Sequence, residues 1–347
     1  MTSMQTSPGQ GGQSPHRAQL QELIGSMRVT QLIYVAATLG IADQLTDGPK
    51  SIAALASTAV VDPNALYRVL RALASQGIFA ETGDCHFTLT PKAELLREDV
   101  PGSLRAWAMM LGGESFWKPW GELLACVKTG ETAFNRVFGM GRWEYLAAHP
   151  DAAETFNRMA ASNTDGRATP ILEAYDFSAA TTVIDLGGGR GVLMAAVLTK
   201  HPHVTGVLTD LPAVAEEAKA FLATQGLGAR CTVLSSDLLA EVPQGGDIYV
   251  MKSVLHGLND EHAVAVLKNC RTAMTASATL LVIEAVLPPH GSPSPLINML
   301  DVHRMVMTGS QERSQEDLRA FLETAGFTLH RVIQTGTQDH IFEALPV

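Results

Sequence analysis

The stretch VIDLGGGRGV, from Val183 to Val192, joins an apolar run to a cluster of glycines and then to a helical pattern. Many folds hold a nucleotide cofactor at such a junction. A dinucleotide site has the spacing G-x-G-x-x-G, whose turn brings a helix N-terminus up to pyrophosphate. Here Gly187, Gly189 and Gly191 are spaced G-x-G-x-G, and Val192 stands where the third glycine would be. Asp185 bears more directly on the ligand, because a carboxylate at the strand end repels pyrophosphate and attracts a cation. S-adenosylmethionine carries both an ammonium and a sulfonium and is the expected occupant. A turn that serves chain geometry alone is the other reading of these glycines.

Asp210 in VLTDLP and Asp237 in VLSSDLL close the next two expected strands. The first suits a ribose diol and the second the exocyclic amine of adenine, while either could instead cap a helix. Three acids around one ligand suit a cationic cofactor better than a polyanionic one. Leu211, Leu238 and Lys252 lie at the same strand ends and are grouped with Gly187, Gly189 and the three acids as cofactor-binding. In MKSVLHGLNDEH, at the end of the fourth strand, His256 is the expected general base. Imidazole side chains titrate near pH 6.5, so a neutral ring is available to take a proton at pH 7. A phenol holds its proton about 3.5 pH units more tightly, roughly 5 kcal/mol for complete prior transfer. The proton is therefore expected to move as the bond to oxygen forms, where a positioned base contributes about 10²- to 10⁴-fold. A capping or surface histidine is the alternative.

The elements that position these residues are legible in the hydrophobic pattern. After Asp176, apolar strands alternate with amphipathic helices, as in a doubly wound, Rossmann-like parallel sheet of the α/β class. Strands are expected at 182–186, 204–209, 231–235, 247–251, 279–286, 327–333 and 341–345. Ligands of such sheets sit beyond the strand C-termini, which puts Asp185, Asp210, Asp237, 252–256 and Glu284 along one edge. Earlier in the chain, Asp62-Pro63 starts a helix with Leu66, Val69, Leu70 and Leu73 on one face, and IFAETGDCHFTLT reads as a hairpin about Gly83-Asp84. Helices with such a hairpin suggest a winged-helix module. Its candidate recognition helix offers only Arg68 and Arg71 among acids, and the net charge of the 347 residues is -10, both against nucleic acid or an anionic membrane as partner.

All four tryptophans fall between Leu104 and Thr164. An ordinary core or a dimer interface would account for them. The functional reading is a pocket for a flat apolar substrate, with Trp107, Phe116, Trp117, Met159 and Asn163 in its lining. In NMLDVHRMVMTG, Leu300, His303, Arg304 and Met307 share one helical face, which is either part of that pocket or a surface or salt-bridged face. Residues 1–17 are rich in Gln, Gly, Ser and Pro and read as a disordered tail without a signal peptide. No apolar stretch is long enough to span a bilayer, and the four cysteines lack metal-ligand spacing, so a cytoplasmic protein without a metal is expected.

From about Ala18 to Val347 the chain resembles the small-molecule O-methyltransferases of the caffeic-acid type, whose bacterial relatives tailor antibiotics such as mitomycins and phenazines. The resemblance is carried by DLGGGRG at Asp185, the LH of VLHGLND, EAVLP from Glu284 and GSQERS from Gly309. It implies an all-helical, winged-helix-like dimerisation domain (18–165) and a class I methyltransferase domain (166–347) using S-adenosylmethionine. It also implies a homodimer, and a catalytic His256 flanked by Glu284 and Glu312. In the family the helix bearing Leu300 to Met307 lines the substrate pocket, where His303 and Arg304 would suit a carbonyl, N-oxide or carboxylate. Where the family often has Asp and an aromatic after the histidine, this chain has Gly257 and Leu258. The expected activity is methylation of a phenolic or heteroaromatic hydroxyl of a secondary metabolite. The rivals are a carbon-, nitrogen- or non-methylating enzyme of the same fold, and a winged-helix regulator that senses S-adenosylmethionine.

Overall fold

The computed structural model describes residues 14–347, and its contacts divide the chain into two units, ending and starting at Glu98 and Asp99. Of the tail expected over 1–17, residues 1–13 lie outside the described residues. Pro15 to Arg17 are helical, contrary to that expectation. Pro15 opens the helix Pro15–Thr38, its ring pre-setting the helical φ, and the Ser14 carbonyl accepts from Arg17 N at 2.8 Å.

The first unit continues through helices Ile41–Gln44, Ile52–Ala59 and Pro63–Ser75. Asp62 caps the last of these, accepting from Ala65 N at 2.7 Å, and Leu66, Leu70 and Leu73 are its buried face. The unit is not all helix. Strands β1 (Lys50–Ser51), β2 (Phe79–Glu81) and β3 (His86–Leu89) form an antiparallel sheet in the order β1-β3-β2. The β2–β3 turn needs left-handed backbone at Gly83, Asp84 and Cys85, with φ of 90°, 45° and 56°, the chemistry that Gly-Asp brings to hairpins. On the long first helix Leu20, Leu23, Ile24 and Met27 are exposed, an apolar stripe at helical spacing.

The second unit is built on a seven-stranded sheet. Its strands are β4 (Thr182–Leu186), β5 (Thr205–Asp210), β6 (Cys231–Ser235), β7 (Ile248–Lys252), β8 (Thr279–Ala285), β9 (Phe327–Gln334) and β10 (Asp339–Pro346). The order is β6-β5-β4-β7-β8-β10-β9. Both faces are covered. Val183, Leu208, Val250 and Leu281 pack into one helical layer, while Ile184, Tyr249, Met251 and Val282 pack into the other, which is why these strands read as continuous apolar runs. The sheet is mixed rather than all parallel, since β10 runs antiparallel to both β8 and β9. Only residues 335–338 separate β9 from β10, enough for a hairpin and far too few for a crossover.

The segment 99–165, expected from the sequence to belong with the amino-terminal domain, makes its contacts within the second unit. Helix Pro150–Ala174 packs on Arg105–Gly112 and on Val192–Lys200, and helix Pro295–Met307 packs on Glu114–Gly121, Leu123–Thr129 and Ala133–Phe138. The contacts divide at 98/99 because the helices from Arg105 to Phe138 pack on helices Pro150–Ala174 and Pro295–Met307 of the sheet unit.

Candidate active site

After β4 the chain turns sharply, Gly187 N and Gly188 N donating to the Thr209 carbonyl at 2.8 and 3.4 Å. Gly187, Gly189 and Gly191 have φ of 69°, 57° and 86°, open to glycine without steric cost. Space matters as much as backbone angle. A Cβ would lie 2.8 Å from Val254 Cγ2 at Gly187 and 2.7 Å from Asp185 Oδ2 at Gly188. The turn thus closes over Asp185, which is 2% exposed and whose Oδ2 has no hydrogen-bond partner. Burial first, then the nearby Asp210, push its pKa up to about 7, against the pull of Lys252. A buried carboxylate short of a partner is a seat for a cation and a poor one for pyrophosphate.

Asp210 is already at work within the protein. Its Oδ2 accepts from Gly189 N at 2.8 Å and its Oδ1 from Leu211 N at 2.7 Å, so it organises the glycine turn. Burial raises its pKa, and those two N–H groups pull the other way. A carboxylate has about four lone-pair sites, which leaves capacity for a diol. Asp237 is exposed and accepts from Leu239 N at 2.9 Å, holding its own turn. Leu238 is the member of that pair that reaches the glycine loop, its Cδ1 3.8 Å from a Cβ built on Gly187. Lys252 Nζ meets Ser253 Oγ at 3.2 Å and Thr164 Oγ1 at 3.5 Å. Burial draws its ammonium below the ordinary lysine range, while Asp339, Glu284 and Asp185 oppose that.

Beyond β7, Ser253 takes a left-handed φ of 57° and the chain enters the short 3-10 turn Leu255–Gly257. His256 Nδ1 lies 2.7 Å from Glu284 Oε2. The other oxygen, Oε1, accepts from Leu255 N at 2.8 Å and His256 N at 3.4 Å, so one carboxylate fixes both the ring and the turn beneath it. Glu284 is 2% exposed. Burial works to raise its pKa, but His256, Arg304 and the hydrogen bonds outweigh that and hold it below the usual range.

Arg313, 3% exposed, clamps the same turn from the far side. It donates to the carbonyls of Leu255 at 2.5 Å and Leu258 at 2.7 Å, and to Asp260 Oδ1 at 3.0 Å. Glu312 shares a tight recess with His256, Glu284 and Ala285. Its Oε1 accepts from Arg304 Nε at 3.0 Å, its Oε2 is unpartnered, and its N–H donates to Asp301 Oδ1 at 2.9 Å. Arg304 therefore spends its charge on Glu312. Gly257 has a local reason as well. A Cβ there would lie 3.2 Å from Trp143 Cζ2, so the indole crowds the space where the family's usual aspartate would stand, and Leu258 is half-buried against the core.

His303 stacks on Phe116 (centroids 5.0 Å apart, planes 19° apart) and lies near-parallel to Trp120 at 6.4 Å. Its Nδ1 and Trp120 Nε1 lack partners, and burial, then Arg142 and Arg304, hold its pKa well below the ordinary imidazole value. Other members of the expected pocket are placed differently. Met307, 2% exposed, packs with Cys126, Phe134 and Val306 as core. Met159 is buried and its sulfur lies 3.4 Å from Asn163 Nδ2, while Trp107, Trp117 and Leu300 are half-buried. The sequence marks Trp120 only as one of the four clustered tryptophans, and it does not single out Arg142 or Arg313. The last lay in view beside Glu312 in GSQERS; nothing in the local pattern singled out Arg142. Among the described residues no three His, Cys, Asp or Glu side chains gather as a metal site would need, and no helix is long and apolar enough to cross a membrane.

Comparison with known proteins accords with this geometry. An O-methyltransferase domain matches residues 120–328 and an O-methyltransferase dimerisation domain residues 21–99. The chain is 41% identical over 342 residues to a phenazine O-methyltransferase of Lysobacter antibioticus, covering 99% of this chain and 100% of the other. The structure of N,N-8-amino-8-demethyl-D-riboflavin dimethyltransferase from Streptomyces davawensis matches with a TM-score of 0.80 at 31% identity, over 96% and 100% of the two chains. An O-methyltransferase of neocarzinostatin biosynthesis, solved with S-adenosylmethionine and 2-hydroxy-5-methyl naphthoic acid, matches with a TM-score of 0.79 at 30% identity, over 92% and 96%. The unpartnered Asp185 carboxylate and the glycine cradle over it fit that cofactor's cationic end. The chain belongs to the S-adenosylmethionine-dependent O-methyltransferases of secondary metabolism.

Proposed function

We propose that the protein methylates a hydroxyl on a flat phenolic or heteroaromatic metabolite, with His256 as the base that takes the hydroxyl proton. The observation that carries this reading is the 2.7 Å contact of His256 Nδ1 with Glu284 Oε2. It sets the tautomer with the proton on Nδ1, which leaves Nε2 as the accepting nitrogen, and the buried carboxylate stabilises the imidazolium that forms. When bound, S-adenosylmethionine supplies an electrophilic methyl group. Asp185, the turn Gly187 to Gly189, Asp210, Leu211, Leu238, Asp237 and Lys252 would hold it. Glu312, whose Oε1 accepts from Arg304 Nε, lines the same recess. His303 and Phe116 offer a shelf to an aromatic ring. Screening hydroxy-aromatics against their methyl ethers with labelled cofactor tests the reading. Label should enter only the free hydroxyl compounds, and equal labelling of the ethers would refute oxygen as the acceptor.

Arg313 is a positioning residue in this scheme, since it ties both ends of the turn that carries His256. Arg313→Met is expected to lower kcat by about 10²-fold, the scale of a misplacement near 1 Å. Affinity for S-adenosylhomocysteine should persist, and an unchanged kcat in a folded variant would remove the residue from the account.

The protein works as a homodimer, and the exposed stripe Leu20, Leu23, Ile24 and Met27 is surface of the kind that a partner covers. The double change Leu23→Glu, Ile24→Glu should convert a dimer into single chains on sedimentation. A dimer that survives both charges would place the interface elsewhere. Four free cysteines fit a reducing cytoplasm.

A further inference from the structure

Arg142 begins the helix Arg142–Ala148 and is 7% exposed. Buried guanidinium groups are ordinarily matched by a carboxylate, as Arg304 is by Glu312 and Arg313 by Asp260. Arg142 has no such match among the described residues. Its polar contact is the Met110 sulfur, 4.0 Å away, and its Cζ lies 4.9 Å from the centroid of the Phe156 ring. Burial, then Arg304, press its pKa down to about 9, yet a group of that value keeps its charge at neutral pH. The charged group that acts on it is thus another cation, and His303, on which both act, is held neutral with Nδ1 unpartnered.

The position of this cation relates it to the candidate base. Trp143, the next residue, reaches to 3.2 Å from a Cβ built on Gly257, which adjoins His256. Arg142 also acts on His303, whose other electrostatic neighbours are Arg304 and His256, and His303 carries the stacked Phe116. A cation without a counter-ion, a flat ring shelf and a base are therefore grouped on one side of the sheet unit.

We propose that Arg142 is the subsite for a carboxylate on the aromatic ring, so that the substrate is a hydroxy-aromatic acid bound by its acid at Arg142 and by its hydroxyl at His256. This rests on the reading of the site as that of a hydroxyl-methylating enzyme. The guanidinium offers paired, parallel N–H donors that match the two oxygens of a carboxylate. A neutral ring of the same shape would leave the buried cation unmatched.

The test uses the full-length protein saturated with S-adenosylhomocysteine and hydroxy-aromatic acids of one, two and three rings, each paired with its carboxamide. Calorimetry should show at least one acid bound about 10- to 100-fold more tightly than its amide, the range for hydrogen bonds to a charged group. Arg142→Gln should bring that ratio close to one with amide and S-adenosylhomocysteine affinities kept, and Arg142→Lys should retain part of it. Acids bound no better than their amides at every ring size overturn the proposal, as does a preference that survives Arg142→Gln. Should Arg142→Gln fail to fold, seen as lost S-adenosylhomocysteine binding, the wild-type ratios and Arg142→Lys decide. Methyl transfer to neutral phenols reports separately on the underlying reading, which stands if only the acid preference is missing.

Discussion

His256→Ala is expected to cost about 10²- to 10⁴-fold in turnover at pH 7 while S-adenosylhomocysteine binds as in the wild type. The imidazole is held by Glu284 and by the turn Leu255–Gly257, so its loss removes a proton acceptor without touching the glycine turn. The defect should shrink as pH rises toward the hydroxyl's own pKa, because phenolate formed in solution has no proton to give up. Glu284→Gln should show a smaller loss of the same kind. Its amide cannot stabilise an imidazolium and can still accept from Leu255 N. Wild-type single-turnover rates for His256→Ala at pH 7 would leave catalysis to alignment of the reactants alone.

Asp185→Asn should have opposite effects on stability and binding. Asp185 has a folded pKa of about 7 against an ordinary value of 3.8. Between those two values the folded chain holds a proton that the unfolded chain has released, so stability falls as pH rises through this window. The difference of about three pH units, at about 1.4 kcal/mol each, puts the cost of the buried carboxylate near 4 kcal/mol above pH 7. The isosteric amide removes that cost. Chemical unfolding of the cofactor-free variant at pH 8 should therefore show a gain of a few kcal/mol that disappears near pH 4. Calorimetry should at the same time show S-adenosylhomocysteine binding weakened by about 1 to 3 kcal/mol, the scale of a hydrogen bond to a charged group. Undiminished affinity in the variant would separate Asp185 from the cofactor's ammonium.

Much of this architecture is written in local pattern. The period of apolar residues marks every strand of the large sheet to within two residues at each end, most plainly in β4, β7 and β8, which are buried along almost their whole length and read as nearly unbroken apolar runs. The turn expected from Gly187, Gly189 and Gly191 is present, with all three in left-handed backbone. Asp210 shows where local reading stops. Both readings made of it name real capacities of a carboxylate, and the structure adds that it fastens Gly189, a bond between residues 21 apart that no spacing rule announces. The same holds for Arg313, whose partners lie more than fifty residues upstream. Helical periodicity groups Leu300, His303, Arg304 and Met307 on one face and does not say what each side chain meets. His303 stacks on Phe116, Arg304 pairs with Glu312, and Met307 is buried in the core against which Phe116 also packs. The contact division at 98/99 is not legible in the sequence, because helical composition does not say which neighbouring element a helix packs on.

The role of His256 is most directly tested by single-turnover rates for a series of phenols of graded acidity, compared between the wild type and His256→Ala at pH 7. With a base at hand, a proton that binds more tightly costs the wild type little, whereas the variant can use only the fraction already ionised. If His256 is the base, the rates nearly coincide for hydroxyls with a pKa near 7 and separate by about 10²- to 10⁴-fold for those near 10. A ratio of the two rates that stays constant across the series would contradict it.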